Sequence, residues 1–367
     1  MAFRSQGRSD VDVFSSDRTD YSIQTVGGQL HYQPSEDVKL SMRGGSSTDF
    51  STNRLDGAAT DHFDSRRSVA SLQADVALAP GLLSIGYDWE RQSLASSTQY
   101  EVDQRIIRGL FAQWQASLGV QSLQASLRRD DNSQFGGKTT GSVLWGWDLS
   151  DELRLSANYG TAFRAPTFND LYYPGYGKAT LRPESSRTLQ LALRGTPDWG
   201  HWSLEAYRNE IRDLIEFDAA SYSPGNIGRA RIVGIDAVLG GQWLGWSLRS
   251  TASLMRPRNE TAHGLNRSNL LPRRARRMLN LEADRPFGRL NIGASWRLVD
   301  RRYDDIGNRN ALGGYGLLDL RAGWLIDAAW RVDLALNNAL DKNYETAWYF
   351  NQPGRTYMLT LSWRPRH

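Results

Sequence analysis

The sequence predicts an all-β fold, a transmembrane antiparallel up-and-down β-barrel, and three observations carry that expectation. Apolar and polar residues alternate with period two along one run after another. Connections between the runs are alternately short and long, as in a barrel with tight turns at one rim and loops at the other. The composition joins 13 Trp and 15 Tyr, with aromatics at 11%, to a negative mean hydropathy. A barrel with a polar bore and aromatic outer rims has that balance, whereas a soluble core does not require it.

The alternation is clearest at the end of the chain. Val332, Leu334 and Leu336 point one way and Arg331, Asp333 and Asn337 the other. After a surface loop, Tyr357, Leu359, Leu361 and Trp363 share one face, and Thr356, Met358, Thr360 and Ser362 share the opposite one. Further back, Leu123, Ala125 and Leu127 alternate with Gln124, Ser126 and Arg128, and Leu189, Leu191 and Leu193 with Thr188, Gln190 and Arg194. Leu244, Trp246 and Leu248 read in the same way against Gly245, Ser247 and Arg249. A slip of one residue would put arginine into lipid, so the register is strongly specified.

Taken in order, residues 1–19 are polar, with Asp10, Asp12 and Asp17, and read as a polar loop or the remnant of a preceding strand. A barrel domain spans 20–367. Tight-turn chemistry occurs at Pro34-Ser35-Glu36-Asp37, Pro80-Gly81, Leu118-Gly119, Ser150-Asp151-Glu152, Pro197-Asp198-Trp199-Gly200, Gly240-Gly241, Pro286-Phe287-Gly288 and Ile326-Asp327-Ala328. Long connections are expected near 47–66, 164–185, 216–227, 257–271, 301–313 and 341–355. This reading gives about 17 strands, beginning with Asp20 to Gln33, where single-chain bacterial barrels have an even number. If the short turns are periplasmic, the first and last strands both descend. The parity then predicts an incomplete barrel whose earlier strands are absent, with an unsatisfied seam or a smaller closure between the strands of Asp20 and Thr356. The start, Met1-Ala2-Phe3-Arg4-Ser5, has no apolar signal-peptide core, which agrees with a truncated N-terminus.

Other classes fit poorly. No apolar run approaches the roughly 18 residues of a spanning helix. Cys is absent, so disulfides, thiolate metal sites and thiol nucleophiles are excluded. The net charge of +4 comes from 44 basic and 40 acidic residues spread along the chain, whereas a nucleic-acid binder gathers its basic residues. His31, His62, His201, His263 and His367 lack metal-ligand spacing. There is no serine elbow, Walker loop or dinucleotide fingerprint, and Gly313-Gly314-Tyr315-Gly316 opens a strand rather than a helix. The expectation is that the chain is not an enzyme.

Several stretches together carry a resemblance. They are Arg129-Asp130-Asp131-Asn132-Ser133-Gln134-Phe135-Gly136, Tyr159-Gly160-Thr161-Ala162-Phe163-Arg164-Ala165-Pro166, Leu181-Arg182-Pro183-Glu184-Ser185, and Tyr207-Arg208-Asn209-Glu210-Ile211 with Asp213-Leu214-Ile215. Asn226-Ile227-Gly228-Arg229-Ala230-Arg231-Ile232-Val233-Gly234-Ile235-Asp236 and Asn338-Ala339-Leu340-Asp341-Lys342 complete the set. In this order and spacing, from about Asp17 onward, the chain resembles the C-terminal part of the TonB-dependent outer-membrane receptors, and most closely the cobalamin receptors among them. The resemblance implies a barrel of about 22 strands with a plugged lumen. Here that barrel would be missing about five strands, the N-terminal plug and the box that TonB grips. It also implies a Gram-negative outer-membrane location, outer-membrane lipid and TonB as partners, and uptake of cobalamin (vitamin B12) or a related large metal chelate such as a siderophore. A plugless passive porin or a structural barrel is the competing class. The ending Arg364-Pro365-Arg366-His367 departs from the terminal aromatic that such barrels resemble one another in carrying.

Candidate site residues follow on two levels. Pro166 should end one strand and Pro183 re-enter the next, while Gly228 and Gly234 permit a bulge or close packing. Asn338 and Asp341 mark the break before the last strand. For ligand capture, Tyr172, Tyr173 and Tyr176, with Trp348 and Tyr349, offer rigid rings with polar tips; the alternative is that the tyrosines belong to an aromatic girdle. In the resembled receptors, aspartates of two early loops hold calcium, which implies Asp17, Asp20 and Asp49 here. Calcium takes 6–8 oxygens, so a solvated acidic loop stays open beside it.

Overall fold

The computed structural model describes residues 2–13, 16–218, 221–262, 264 and 266–364. His263, His367, Pro365 and Arg366 lie outside the described residues. Fifteen strands come first: β1 (Ala2–Val13), β2 (Ser16–Ser35), β3 (Val38–Leu55), β4 (Ala58–Leu78), β5 (Gly81–Ser96), β6 (Gln104–Leu118), β7 (Gln121–Asn132), β8 (Gly136–Ser150), β9 (Leu153–Arg164), β10 (Glu184–Gly195), β11 (Gly200–Asp218), β12 (Ser223–Trp243), β13 (Trp246–Asn259), β14 (Arg277–Phe287) and β15 (Leu290–Val299). They are followed by β16 (Arg302–Tyr303), β17 (Ala311–Leu312), β18 (Tyr315–Leu325), β19 (Trp330–Asn337), β20 (Glu345–Ala347), β21 (Phe350–Asn351) and β22 (Thr356–Trp363). One short helix, α1 (Phe168–Tyr172), interrupts them. The strands form an 18-stranded sheet, with β16–β17 and β20–β21 as separate two-stranded ribbons. None of the described helices is long and apolar enough to cross a membrane.

The chain divides into two compact units. The first comprises Met1–Trp145, Tyr159–Ser186 and Asp213–Asn226, the second Gly146–Asn158, Arg187–Arg212 and Ile227–His367. In the first, β1 through β7 pair antiparallel in sequence order. Their apolar side chains are exposed: Leu30 is 67% and Leu127 61% accessible. Polar side chains on the other face hold one another. Arg128 donates to Asp88 at 2.5 Å and lies 2.7 Å from Asp130, Arg67 lies 2.7 Å from Glu90, and Ser84 donates to Asp75 at 2.5 Å.

The second unit repeats the pattern. Antiparallel pairs link β12 to β13, β13 to β14, β14 to β15, β15 to β18, β18 to β19 and β19 to β22. Leu189, Leu191, Leu334 and Leu361 are exposed, and Leu359 is 71% accessible. On the opposite face Asn158 donates to Gln190 at 2.7 Å and Gln190 to Glu205 at 3.0 Å. Asp284 and Arg321 pair across Gly293, where any Cβ would collide with both side chains. Glycine is required there because the ion pair passes over its backbone.

Three expectations change against this architecture. Residues 2–13 are a strand paired to β2, and the large sheet has eighteen strands, close to the expected count of about 17. The strand of Asp20 is flanked by β1 and β3 and is not an open edge, so the expected seam is not beside it. The stretch 47–66 is not a loop: β3 and β4 continue through it to the pair Leu55 and Ala58, closing on Asp56-Gly57 with φ 51° and 81°. Finally, Gly240 and Gly241 are ladder residues opposite Arg249 and Leu248. The turn is Leu244-Gly245, with φ 48° and 80°, so Leu244 does not continue the alternation of Trp246 and Leu248. Both tight turns need two residues of positive φ, the mirror-image geometry whose twist matches paired strands.

Candidate functional site

In the first unit, the connection 165–183 is the most elaborate segment. The residue before a proline is pushed away from helical geometry, and Pro166, fully buried, ends the run of β9. Thr167 then starts α1 with a capping box: its hydroxyl accepts from Asp170 N at 3.1 Å, and the Asp170 carboxylate accepts from Thr167 N at 2.9 Å. Buried Arg105 donates to the Pro166 carbonyl at 2.9 Å and to the Gln92 carboxamide at 2.8 Å, with its guanidinium 4.9 Å from the Phe168 ring centre. Beneath the helix, Leu171, Leu181 and Ile215 form a buried cluster against which Phe135 and Tyr172 pack.

The far end of the connection is tied by Asn226. Its Nδ2 donates to the carbonyls of Arg182 (3.0 Å) and Asp213 (2.7 Å), and its Oδ1 accepts from Arg182 N at 2.9 Å. Pro183 precedes the first residue of β10, as expected of a proline entering a strand. Glu184 accepts from Ile215 N at 2.8 Å and pairs with Arg164. The motif stretches Leu181-Arg182-Pro183-Glu184-Ser185, Asp213-Leu214-Ile215 and Asn226 thus meet as one clamp.

On that clamp lies a chain of six rings. Phe63 and Tyr100 approach Tyr173 at 6.2 and 6.4 Å between centroids, and Tyr173 meets Tyr176 at 6.5 Å. Tyr176 stacks on Phe217 at 6.2 Å, and Phe217 meets Tyr222 edge-on at 5.4 Å. Spacings of this size are within the range of favourable aromatic pairs. The Tyr100 hydroxyl donates to Asn169 Oδ1 at 2.6 Å. Burial, and secondly the neighbouring Tyr173, push the Tyr100 phenol up to about 12; burial, then Asp170 and Tyr222, also raise Tyr176. Both rings stay neutral over the physiological range. They present faces and hydroxyl groups rather than charge.

Sequence-predicted residues separate here. Tyr173 and Tyr176 are consecutive members of the ring chain. Tyr172 is turned the other way, into the buried cluster, with its hydroxyl accepting from Gln134 Nε2 at 2.6 Å. Phe63, Tyr100, Phe217 and Tyr222 escaped the sequence reading, since single aromatics on β4, on β11 and in two connections share no spacing. The aspartates proposed for calcium are not gathered: Asp17 accepts from Asp56 N at 2.9 Å, Asp49 lies on the β3 ladder opposite Ile23, and Asp20 faces Arg54 (2.7 Å), Arg18 (3.3 Å) and Arg8 (3.4 Å). Three guanidinium groups around one carboxylate do not fit a divalent cation. Among the described residues, no group of three or more His, Asp or Glu is placed to hold a metal.

The second unit carries the remaining predicted residues. Trp348 and Tyr349 form the tip of the β20–β21 ribbon, their centroids 5.3 Å apart and Tyr349 81% accessible. Asn338, buried and at φ 48°, accepts from Lys342 N and donates to the Lys342 carbonyl, both at 2.9 Å. Asp341 accepts from Arg355 N at 2.8 Å. The Asn338 to Lys342 motif is therefore a loop staple. Gly234 lies under the Tyr207 ring and Gly228 against Thr261; both roles are packing.

A sheet with exposed aliphatic residues on one face and paired charges on the other is the wall of a membrane β-barrel, a structure that leaves no unpaired backbone in lipid. The chain belongs to the TonB-dependent receptor-like β-barrel family, whose model matches residues 2–339. It is 30% identical over 320 residues to the vitamin B12 transporter BtuB of Vibrio vulnificus, covering 84% of this chain and 51% of that protein. Against the vitamin B12 transporter BtuB of Photobacterium profundum, identity is 29% over 330 residues, covering 86% and 53%. The chain thus spans about half the length of the curated relatives it matches. The FrpB iron transporter of Neisseria meningitidis shares the fold at a TM-score of 0.79, with 15% identity over 99% of this chain and 67% of that one. The family consists of receptors and transporters, not enzymes.

Proposed function

We propose that this chain is the wall and ligand-capturing loop region of an outer-membrane receptor for cobalamin or a related large metal chelate, with uptake energised by TonB through a plug supplied by the whole receptor. The ring chain from Phe63 to Tyr222 is the observation that carries the capture step. A large, flat, amphipathic ligand is matched by several rigid faces with hydroxyl tips, which lose little conformational entropy on binding. The paired charges on the opposite face of the sheet from the aliphatic residues give a water-lined path, and the exposed aliphatic face meets outer-membrane lipid.

Equilibrium binding of cyanocobalamin to the purified chain in detergent, with a ferric catecholate as the competing ligand class, tests this reading. Tyr173→Ala with Tyr176→Ala should weaken cobalamin binding at least tenfold, about 1.4 kcal/mol or more. Unchanged affinity would remove the ring chain from the site. Tyr172→Ala is the control for packing, since that side chain supports the loop from below.

A further inference from the structure

We propose that the exposed apolar face of the second unit holds one phospholipid, its acyl chain in a hollow between β12 and β18 and its phosphate on Arg285. The inference rests on reading that face as lipid-facing. In a regular sheet the outer face is evenly covered, but here small residues fall side by side. Gly241 is opposite Leu248, Leu248 opposite Ala283, and Ala283 opposite Ala294. Gly241, Ala283 and Ala294 floor a hollow of about 710 Å³ walled by Trp199, Trp243 and Trp296. That volume is in the range of ligand pockets. A Cβ on Gly241 would lie 2.5 Å from the Trp199 carbonyl and 3.4 Å from the Trp199 ring, so glycine lets the Trp199 turn close over the hollow.

Charge supplies the second half. Arg285 is two residues beyond Ala283 and shares its face, at the tight-turn rim where Trp243 pairs with Trp246 and Phe287 with Leu290. Its guanidinium is 5.7 Å from the Trp246 ring centre and 4.7 Å from that of Phe287. Among the described residues it has no carboxylate partner, unlike Arg321 paired with Asp284 on the opposite face. An arginine between two aromatic rings on an apolar face is held at headgroup depth with its donors free, and a phosphate is the anion such a fork grips bidentately. Chain in the hollow and phosphate at the rim together describe a glycerophospholipid.

Native mass spectrometry of the full chain, washed in mild detergent and titrated with 1-palmitoyl-2-oleoyl-phosphatidylglycerol, tests this directly. One lipid should survive the wash. Ala294→Phe, which fills the hollow, and Arg285→Gln should each lower retention about tenfold, a difference of about 1.4 kcal/mol. The matching diacylglycerol, which lacks phosphate, should bind no better to the unaltered chain than phosphatidylglycerol does to Arg285→Gln. Equal retention by the unaltered chain and Arg285→Gln, or equal binding of the diacylglycerol, overturns the proposal. If Ala294→Phe loses the heat-modifiable gel mobility of a folded barrel, the Arg285→Gln and diacylglycerol comparisons still decide. None of these outcomes depends on cobalamin binding, so failure here is distinct from failure of the receptor reading.

Discussion

Two connections of the first unit, Asp56-Gly57 and 165–183, are both expected as long loops and fold in opposite ways. Both follow a strand; the stretch around the first is rich in Ser, Thr, Asp and Arg, whereas the second is rich in Pro, Gly and Tyr. In the first, the strands run on as a hairpin and close on two residues. In the second, Pro166, Pro174 and Pro183 deny the ladder its donors, and the chain instead builds a helix, a buried cluster and a ring shelf. Polarity therefore marks where the apolar face ends, not where pairing ends. β2, β3 and β4 have 20, 18 and 21 residues, about twice the 9–11 that a membrane strand needs, so polar hairpin continues beyond the hydrocarbon.

The comparison can be broken most severely at Asn226. Asn226→Ala removes two hydrogen bonds to Arg182, which fasten 165–183 to β12, and one to Asp213 of β11, at about 2–3 kcal/mol in total from typical net values per bond. Amide hydrogen exchange of residues 178–182 should accelerate while the Asp56-Gly57 hairpin is unaffected; equal protection in both proteins would show the clamp to be unimportant. Gly57→Val strikes the other connection, forcing a β-branched residue to φ 81° at roughly 1–2 kcal/mol. Exchange should rise at Leu55 and Ala58 and stay constant at 165–183. Thr167→Ala removes one half of the capping box, about 1 kcal/mol, and should speed exchange at Asp170 without altering the buried cluster.

The smallest effect is a pH dependence. With Tyr100 raised to about 12 against about 10 for an unperturbed tyrosine, the folded loop keeps its proton where the unfolded one loses it. Stability from this ring is fully present below pH of about 10 and is lost as pH rises through about 12. Ultraviolet titration of phenolate, compared between the unaltered chain and Tyr100→Phe, should show one tyrosine ionising late. A difference spectrum centred near pH 10 would place Tyr100 in water.

Much of the wall was legible because period two is a direct consequence of one face meeting oil and the other water. Leu127, Leu189, Leu191 and Leu359 lie where alternation put them. The tight turns at Glu36-Asp37, Gly119-Val120 and Asp151-Glu152 lie at or within one residue of the stretches that marked them. Asp56-Gly57 is itself the strongest short hairpin signal, and it was masked by the polar residues around it. Leu244-Gly245 was harder, since a leucine at positive φ is uncommon and two adjacent glycines nearby suggested a turn. The ring chain was not legible as a unit, because contacts among Phe63, Tyr100, Tyr173, Phe217 and Tyr222 depend on how three separate connections fold back against β4 and β11.

The most direct test of the inside-out wall uses the absence of cysteine, which makes any introduced thiol unique. Leu189→Cys, Gln190→Cys and Leu191→Cys would each be labelled in outer-membrane vesicles with a membrane-impermeant charged maleimide and with a lipid-soluble one. Alternation predicts that the thiols at 189 and 191 react only with the lipid-soluble reagent and that the thiol at 190 reacts with the charged one. Charged-reagent labelling at 189 and 191, with 190 protected, would contradict it.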